Sequence, residues 1–389
     1  MTVYREFIAC MAAYLREETY APSLSAAEWG QLYALAKRQS LSGALQAVTH
    51  DAQMPDAVRD RLRRDGFLTL ARYETQQQVQ ADLCEALHAA NAAHLLFKGA
   101  VVRRYYRQPS MRTMGDLDVA VPSACREIAD AALLNAGFEK KEEQPEVWVY
   151  QKYDTLIELH TVLRRYNCHT QDKEPYEELW TDARQKNGLT YHLSDEAEAA
   201  YILAHMASHF CGGGCGIRQL MDLAVMVERF PEEDLWDGVI ARLRPLALDR
   251  FTRHMLWLCA QWFGIEVSDG LMSPLSDEAT DQVMARMLAE GTFGTDERRM
   301  LSRMRQERRL HKRGGKVGTL LRWAFPSPTY LRRRYAYAEK PWLLPAAYVH
   351  RLADGVTKNR RTHTARLQYA KDQQHLLEQE VQLFEEIGL

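Results

Sequence analysis

The sequence predicts an α+β protein in which helical regions surround a strand-rich core. Strand patterns are concentrated in residues 91–165, whereas helical periodicity dominates residues 1–90 and 166–290. Residues 291–389 also carry helical patterns and are rich in basic side chains over part of their length. We therefore predict four regions with these boundaries.

The N-terminal region reads as a series of amphipathic helices, which we take as scaffold. Ser25 and Glu28 form a capping-box pattern that predicts the start of a helix. The predicted helices cover residues 3–19, 26–39, 55–72 and 74–92.

The core begins with a short apolar strand, residues 94–97, that runs into Lys98 and Gly99 and then into a helical segment, 100–106. A glycine at such a turn lets a phosphate approach backbone N–H groups closely. Lys98 adds a mobile positive charge. This pattern predicts a phosphate-binding turn.

Two carboxylates follow in an apolar strand. Asp116 and Asp118 are two residues apart and so point to the same face, whereas Leu117, Val119 and Val121 point to the other. Two adjacent like charges raise each other's pKa, and a divalent ion with oxygen ligands relieves that repulsion. A lone Asp-x-Asp also occurs as a solubility device on an edge strand, so its context decides.

That context is a third acid in a later strand. After a predicted helix, 123–137, and a predicted strand, 147–151, Glu158 lies in an otherwise apolar strand. His160 shares its face. An acid buried there without a partner would be costly, which favours a role in the same cation site.

The three motifs resemble the uncharacterised nucleotidyltransferase branch of the DNA polymerase β-type nucleotidyltransferase superfamily. That branch has Leu-Lys-Gly, then Arg-x-x-x-Asp-x-Asp, then Glu-Leu-His, and residues 91–165 carry all three in order. Most superfamily members have Gly-Ser where this chain has Lys98-Gly99. The resemblance implies a small mixed-sheet catalytic core of the polymerase β type, flanked by N-terminal and C-terminal helical regions.

The resemblance also implies two-metal transfer of a nucleoside monophosphate from an NTP, expected to be ATP, to an acceptor hydroxyl, with release of pyrophosphate. It implies that Asp116, Asp118 and Glu158 are the catalytic, metal-binding acids for Mg²⁺ or Mn²⁺. The implied phosphate ligands are Lys98, Gly99 and Arg112. The acceptor could be a protein, an RNA or a small molecule.

Two helices after the core carry polar residues one turn apart: His205 with His209, and Arg218 with Asp222. The resemblance implies that they line the nucleotide side of a cleft that residues 166–290 close, with Arg218 meeting a phosphate or base. His160 is an expected nucleotide ligand too. The alternatives are a plain helical ion pair and histidines that only pack and hydrogen-bond.

A zinc site is a further alternative for this segment. His205, His209, Cys211 and Cys215 have suitable ligand chemistry, but their spacing matches no familiar zinc finger.

Composition predicts an ordinary globular protein in the cytoplasm. Of 389 residues, 46% are hydrophobic and 26% charged, and the seven cysteines are odd in number and scattered. The start of the chain has no signal-peptide pattern, and no transmembrane segment is expected.

The near-neutral total charge hides a basic segment. Residues 298–334 contain thirteen Lys and Arg against one acid, a net charge of +12 that leaves −14 for the rest. Aromatic residues are interleaved through position 337, a mixture that suits nucleic acid. A solvated basic helix packed on the acidic remainder is the simpler interpretation. Two function classes therefore stay open: the enzyme, and an inactive module that binds RNA or an acidic partner through this region.

Overall fold

A computed structural model describes residues 2–170, 172–212, 214–290, 340–357 and 374–389, together with positions 328, 331, 335 and 337. By internal contacts the chain forms two compact units, one of residues 1–295 with 386–389 and one of residues 296–385. No helix among the described residues has the length and apolar character needed to cross a membrane.

The described part of the first unit contains both helices and strands. Its helices are α1 Thr2–Arg16, α2 Ala26–Arg38, α3 Ser42–Thr49, α4 Asp56–Ala89, α5 Gly99–Val102, α6 Arg126–Asn135, α7 Leu179–Asp182, α8 Asp195–Gly212, α9 Ile217–Arg229, α10 Glu233–Leu243, α11 Asp249–Phe263 and α12 Asp277–Glu290. Its strands are β1 His94–Leu96, β2 Asp116–Ala120, β3 Glu139–Glu143, β4 Val147–Lys152, β5 Thr155–His160, β6 Arg164–Asn167, β7 Asp172–Pro175, β8 Ala183–Asn187 and β9 Thr190–Leu193.

Seven of these strands form one mixed sheet in the order β3-β4-β5-β2-β1-β9-β8. The β2–β5 and β1–β9 pairs are parallel and the other pairs are antiparallel. The strands β6 and β7 form a separate hairpin. The predicted α+β class, with a small mixed sheet between helical regions, is confirmed.

One face of this sheet is covered by α4 and α6. Leu117 and Val119 of β2 are fully buried there with Ile157 of β5, against α4 residues such as Leu83. A five-residue strand with alternate residues in such a core has its register fixed, because a slip by one residue would bury the acids instead. The acids therefore lie on the opposite face.

Three local differences from the sequence expectations have physical reasons. The predicted helices 55–72 and 74–92 are one helix, α4, because nothing between them breaks a helix. A short helix, α3, was not predicted. Strands continue past residue 165, because β8 is a polar edge strand and β9 has only four residues, so neither shows strong alternation. The Ser25–Glu28 capping box is confirmed by both of its hydrogen bonds.

The described part of the second unit includes helix α13 Leu344–Thr357 and most of α14 Gln374–Ile387. Leu331, Tyr335 and Ala347 form a small buried cluster within it. Nearly all of the basic segment 298–334 lies outside the described residues, and its interpretation stays a prediction.

Candidate functional site

The three acids of the core lie together on the face of the sheet opposite α4. In the parallel β2–β5 pair, Asp118 is directly opposite Glu158, and Asp116 is opposite Leu156. Asp118 is 4% exposed, whereas Asp116 and Glu158 are half-buried. The spacing of two residues on one strand and the register of its neighbour thus bring the carboxylates to one place.

Two basic side chains complete what we call the carboxylate site, which comprises Asp116, Asp118, Glu158, Lys98 and His160. The Lys98 ammonium donates to Asp118 Oδ1 at 2.6 Å. His160 Nε2 lies 3.2 Å from the same oxygen and 3.3 Å from Glu158 Oε2, so it faces both carboxylates. A nitrogen between two carboxylates is favoured as a donor.

The pKa values follow from this arrangement. Burial, and then the Asp118 and Glu158 carboxylates, raise the pKa of Asp116 to about 6. Burial alone would raise the pKa of Asp118, but the Lys98 charge and the His160 hydrogen bond hold it below its ordinary value. Burial lowers the pKa of His160, yet its bonds to Asp118 and Glu158 outweigh burial and raise it.

This donor set fits a divalent cation. Asp118, Glu158 and His160 each offer a ligand atom, and these atoms all lie within 4.8 Å of one another. They form the one group of three or more such side chains in the described part of the chain, so the zinc alternative at His205, His209, Cys211 and Cys215 has no such cluster. Asp116 is not one of these three side chains; its pKa is raised first by burial and then by the Asp118 and Glu158 carboxylates, and a hard cation beside them would relieve that second contribution.

The turn before α5 is strained and crowded. Lys98 has a φ of +53°, a conformation that residues other than glycine rarely adopt. The next residue, Gly99, has no room for a side chain, because a Cβ atom there would lie 2.8 Å from Arg112 Nη1 and 2.9 Å from Met114 Sδ. Helix α5 has only four residues, so its macrodipole contributes less to anion binding than a full helix would.

Glu198 holds this turn, and the sequence did not single it out. Its Oε1 accepts the backbone N–H of Lys98 at 2.8 Å, while its Oε2 is buried without a hydrogen bond. Burial raises the pKa of Glu198 to about 8, so it carries a proton at neutral pH. The available signal was an acid among apolar residues of α8, but acids are also common in the first turn of any helix.

The two predicted arginines have different surroundings. Arg112 is buried and donates to Asp222 through Nε at 3.0 Å and Nη2 at 2.5 Å, and its Nη1 donates to Thr113 O. Tyr106 also donates to Asp222. Asp222 therefore pairs with Arg112, which is 110 residues away in the chain. The alternative from the sequence was an ion pair between Asp222 and Arg218, one helical turn apart.

Arg218 is left with neutral partners. Its Nη1 donates to Thr113 O and Oγ1 at 3.1 and 3.0 Å, and its Nε is buried without a hydrogen bond. Burial, and then the positive charge of Arg112, lower the pKa of Arg218 to about 10. A guanidinium in this state is suited to an incoming anion.

The two predicted histidines of α8 pack against each other edge to face, and one of them, His205, is stacked on Tyr201. The His205 and His209 rings are 4.4 Å apart, and the His205 ring is parallel to that of Tyr201 at 6.4 Å. Burial lowers the pKa of His205 far below its ordinary value and that of His209 to about 4, so both rings are neutral. Tyr201 in turn contacts Phe97, which precedes Lys98.

Comparisons with known proteins found one family model and two solved structures. The family model of uncharacterised nucleotidyltransferases matches residues 25–264. A solution structure of the antibiotic-resistance factor ANT(2'')-Ia is 16% identical with a TM-score of 0.35, over 45% of this chain and 96% of that one. A crystal structure of ANT(2")-Ia with adenylyl-2"-tobramycin is 15% identical with a TM-score of 0.33, over 44% of this chain and 98% of that one. No curated protein matches. Because the family model spans more than half of the chain, the protein belongs to the uncharacterised nucleotidyltransferase family.

Proposed function

We propose that this protein transfers a nucleoside monophosphate from an NTP to an acceptor hydroxyl. The acceptor hydroxyl gives its proton to Glu158 and its oxygen forms a bond to the α-phosphorus, while the bond from that phosphorus to the bridging oxygen breaks and pyrophosphate leaves with the electron pair. One observation carries the proposal: Asp116, Asp118 and Glu158 lie on the same face of the sheet. Asp118 of β2 is directly opposite Glu158 of β5 in the parallel strand pair.

Asp116, Asp118 and Glu158 would hold Mg²⁺ or Mn²⁺. Bound divalent ions lower the pKa of an acceptor hydroxyl and neutralise charge on the triphosphate. The Lys98 ammonium forms an ion pair with Asp118. If a metal ion bound Asp118, Lys98 would lose that partner and could bind a phosphate oxygen instead. His160 can take or give a proton between Asp118 and Glu158.

Arg218 is the phosphate ligand that the charge balance favours, because it has neutral partners. Arg112, whose Nε and Nη2 already donate to Asp222 and whose Nη1 donates to Thr113 O, would act indirectly, by holding Thr113 in place and packing beside Gly99. The neutral ring of His205, parallel to that of Tyr201 and edge-on to His209, would offer an imidazole face or nitrogen to a nucleobase. ATP as the donor and a cytoplasmic location belong to the same proposal.

The test compares the full chain with the double variant Asp116→Asn, Asp118→Asn and a control, Asp154→Asn. Asp154 is an exposed acid in the turn between β4 and β5. Each protein is incubated with each α-labelled NTP, Mg²⁺ and cell extract, and label is then measured in protein, RNA and small-molecule fractions.

Label transferred by the wild type and Asp154→Asn, but not by the double variant, would support the proposal and identify the acceptor class. No transfer by the wild type, with steeply salt-dependent RNA binding that survives removal of the acids, would favour the inactive binding module with its basic segment 298–337.

A further inference from the structure

A second charged region lies in a cavity of about 190 Å³ beside α4. We call it the arginine cavity. Its lining includes Lys37 of α2, Asp65 and Arg72 of α4, Arg103 after α5, and Arg112. None of the five residues of the carboxylate site lines it.

Two of its four cations are matched by carboxylates. Lys37 Nζ lies 3.0 Å from Asp65 Oδ2, and the other oxygen of Asp65 lies 4.0 Å from Arg64 Nε. Arg112 pairs with Asp222. The acid in the cavity is therefore hydrogen-bonded to one cation, Lys37, while its Oδ1 has no hydrogen bond.

Arg103 has only neutral partners. Its side chain is 2% exposed, its Nη2 and Nη1 donate to Gln76 and Gln77 at 2.8 and 3.4 Å, and its Nε is buried without a hydrogen bond. The ring of Tyr73 covers it at 4.9 Å. A buried guanidinium without a counter-charge is costly, and burial lowers its pKa to about 10.

Arg72 is the second unmatched cation of the cavity. It is exposed, and its Nη2 donates weakly to Gly115 O at 3.5 Å. Gln76, the partner of Arg103, also donates to Met114 O at 3.0 Å. Two unmatched guanidinium groups thus adjoin the backbone that leads to Asp116.

We propose that the arginine cavity binds a phosphate group, as the free ion or as a small phosphate monoester, between Arg72 and Arg103. Guanidinium groups match phosphate oxygens in planar, two-pronged contacts. The cavity is smaller than the roughly 300–1,000 Å³ of sites for drug-sized ligands, which suits a small anion. This inference does not depend on the proposed transfer reaction.

The test is calorimetric titration of the full chain, without NTP and with divalent metals chelated, using inorganic phosphate and glycerol 3-phosphate as probes. The variants are Arg72→Gln and Arg103→Gln, and the matched control is Arg63→Gln, an exposed arginine on the same helix. Lys98→Ala reports whether phosphate binds at the carboxylate site instead. Circular dichroism checks folding.

We expect one saturable phosphate per wild-type chain, with binding at least about ten-fold weaker in Arg72→Gln and Arg103→Gln. Binding should be unchanged in the control Arg63→Gln. Tighter binding of glycerol 3-phosphate would identify an organic phosphate as the ligand, and equal or weaker binding would identify the free ion.

Absence of saturable binding by the wild type would overturn the proposal, as would equal binding by Arg72→Gln and Arg63→Gln, or loss of binding in Lys98→Ala. If Arg103→Gln does not fold, Arg72→Gln decides alone, because its side chain is exposed.

Discussion

Two charged regions of this protein, the carboxylate site and the arginine cavity, differ in the sign of the charge that their own side chains leave unmatched. At the carboxylate site, three acids face Lys98 and His160, and the pKa of Asp116 is raised to about 6 by burial and by its neighbours. In the arginine cavity, Arg72 and Arg103 have only neutral partners. The first region is suited to a cation and the second to an anion.

The contrast also separates two kinds of buried charge. Arg112 is neutralised by Asp222 through two hydrogen bonds, whereas Arg218, which shares Thr113 with it, has neutral acceptors. A matched pair contributes to a unique structure, while an unmatched group is available to a ligand. The family resemblance implies phosphate binding for both arginines and does not distinguish them.

The largest expected effect comes from the acids. Asp118→Asn should lower transfer by at least about a hundred-fold, because a neutral amide replaces a carboxylate that we propose binds the metal ion. Chelation should abolish wild-type activity, and Mg²⁺ or Mn²⁺ should restore it. Initial rates with labelled NTP measure both effects. Wild-type activity in Asp118→Asn would contradict the assignment of the carboxylate site as a cation site.

The two arginines should separate stability from binding. Arg112→Gln should lower the free energy of unfolding by about 3–5 kcal/mol, because it leaves the buried carboxylate of Asp222 without its cation. Arg218→Gln should unfold like the wild type but have a raised KM for NTP. Urea titration and steady-state kinetics measure these outcomes, and a stability loss as large in Arg218→Gln as in Arg112→Gln would contradict the assignment.

Glu198 should act through the Lys98 backbone. Glu198→Ala removes the acceptor of the Lys98 N–H and should lower kcat about 10–100-fold, the usual cost of losing a group that orients the residues of a metal site. Glu198→Gln keeps an oxygen acceptor and should recover most of the activity. Equal losses in the two variants would mean that the hydrogen bond does not position Lys98.

A separate prediction concerns the dependence of stability on pH. Glu198 has an ordinary pKa of 4.5 and a pKa of about 8 in the folded protein, where burial disfavours its charge. Between these values the folded state holds a proton that the unfolded state has lost, so its contribution makes stability fall as pH rises. Urea titrations from pH 5 to 8 should show that the free energy of unfolding falls less in Glu198→Gln than in the wild type. Equal falls in the two proteins would contradict this prediction.

What could be predicted from the sequence was local. Alternation within β2 predicted that Asp116 and Asp118 share a face away from Leu117, and the register of β5 agrees. The short motifs also identified the family. Each of these signals lies within a few residues of chain, where strand and helix periods fix which side chains are neighbours.

The contacts that could not be predicted join distant parts of the chain. Glu198 meets Lys98 across 100 residues, and Arg112 meets Asp222 across 110. The β1–β9 pair likewise adds two strands to the sheet by parallel pairing of short segments. Such partners depend on how α8 and α9 pack on the core, which spacing along the sequence does not encode.

The most direct measurement is electron paramagnetic resonance of Mn²⁺ titrated into the full chain with a non-hydrolysable NTP analogue. We predict saturable Mn²⁺ binding to the wild type and to Asp154→Asn, and its loss in the double variant Asp116→Asn, Asp118→Asn. Absence of Mn²⁺ binding by the wild type, or equal binding by the double variant, would contradict a metal site at these carboxylates.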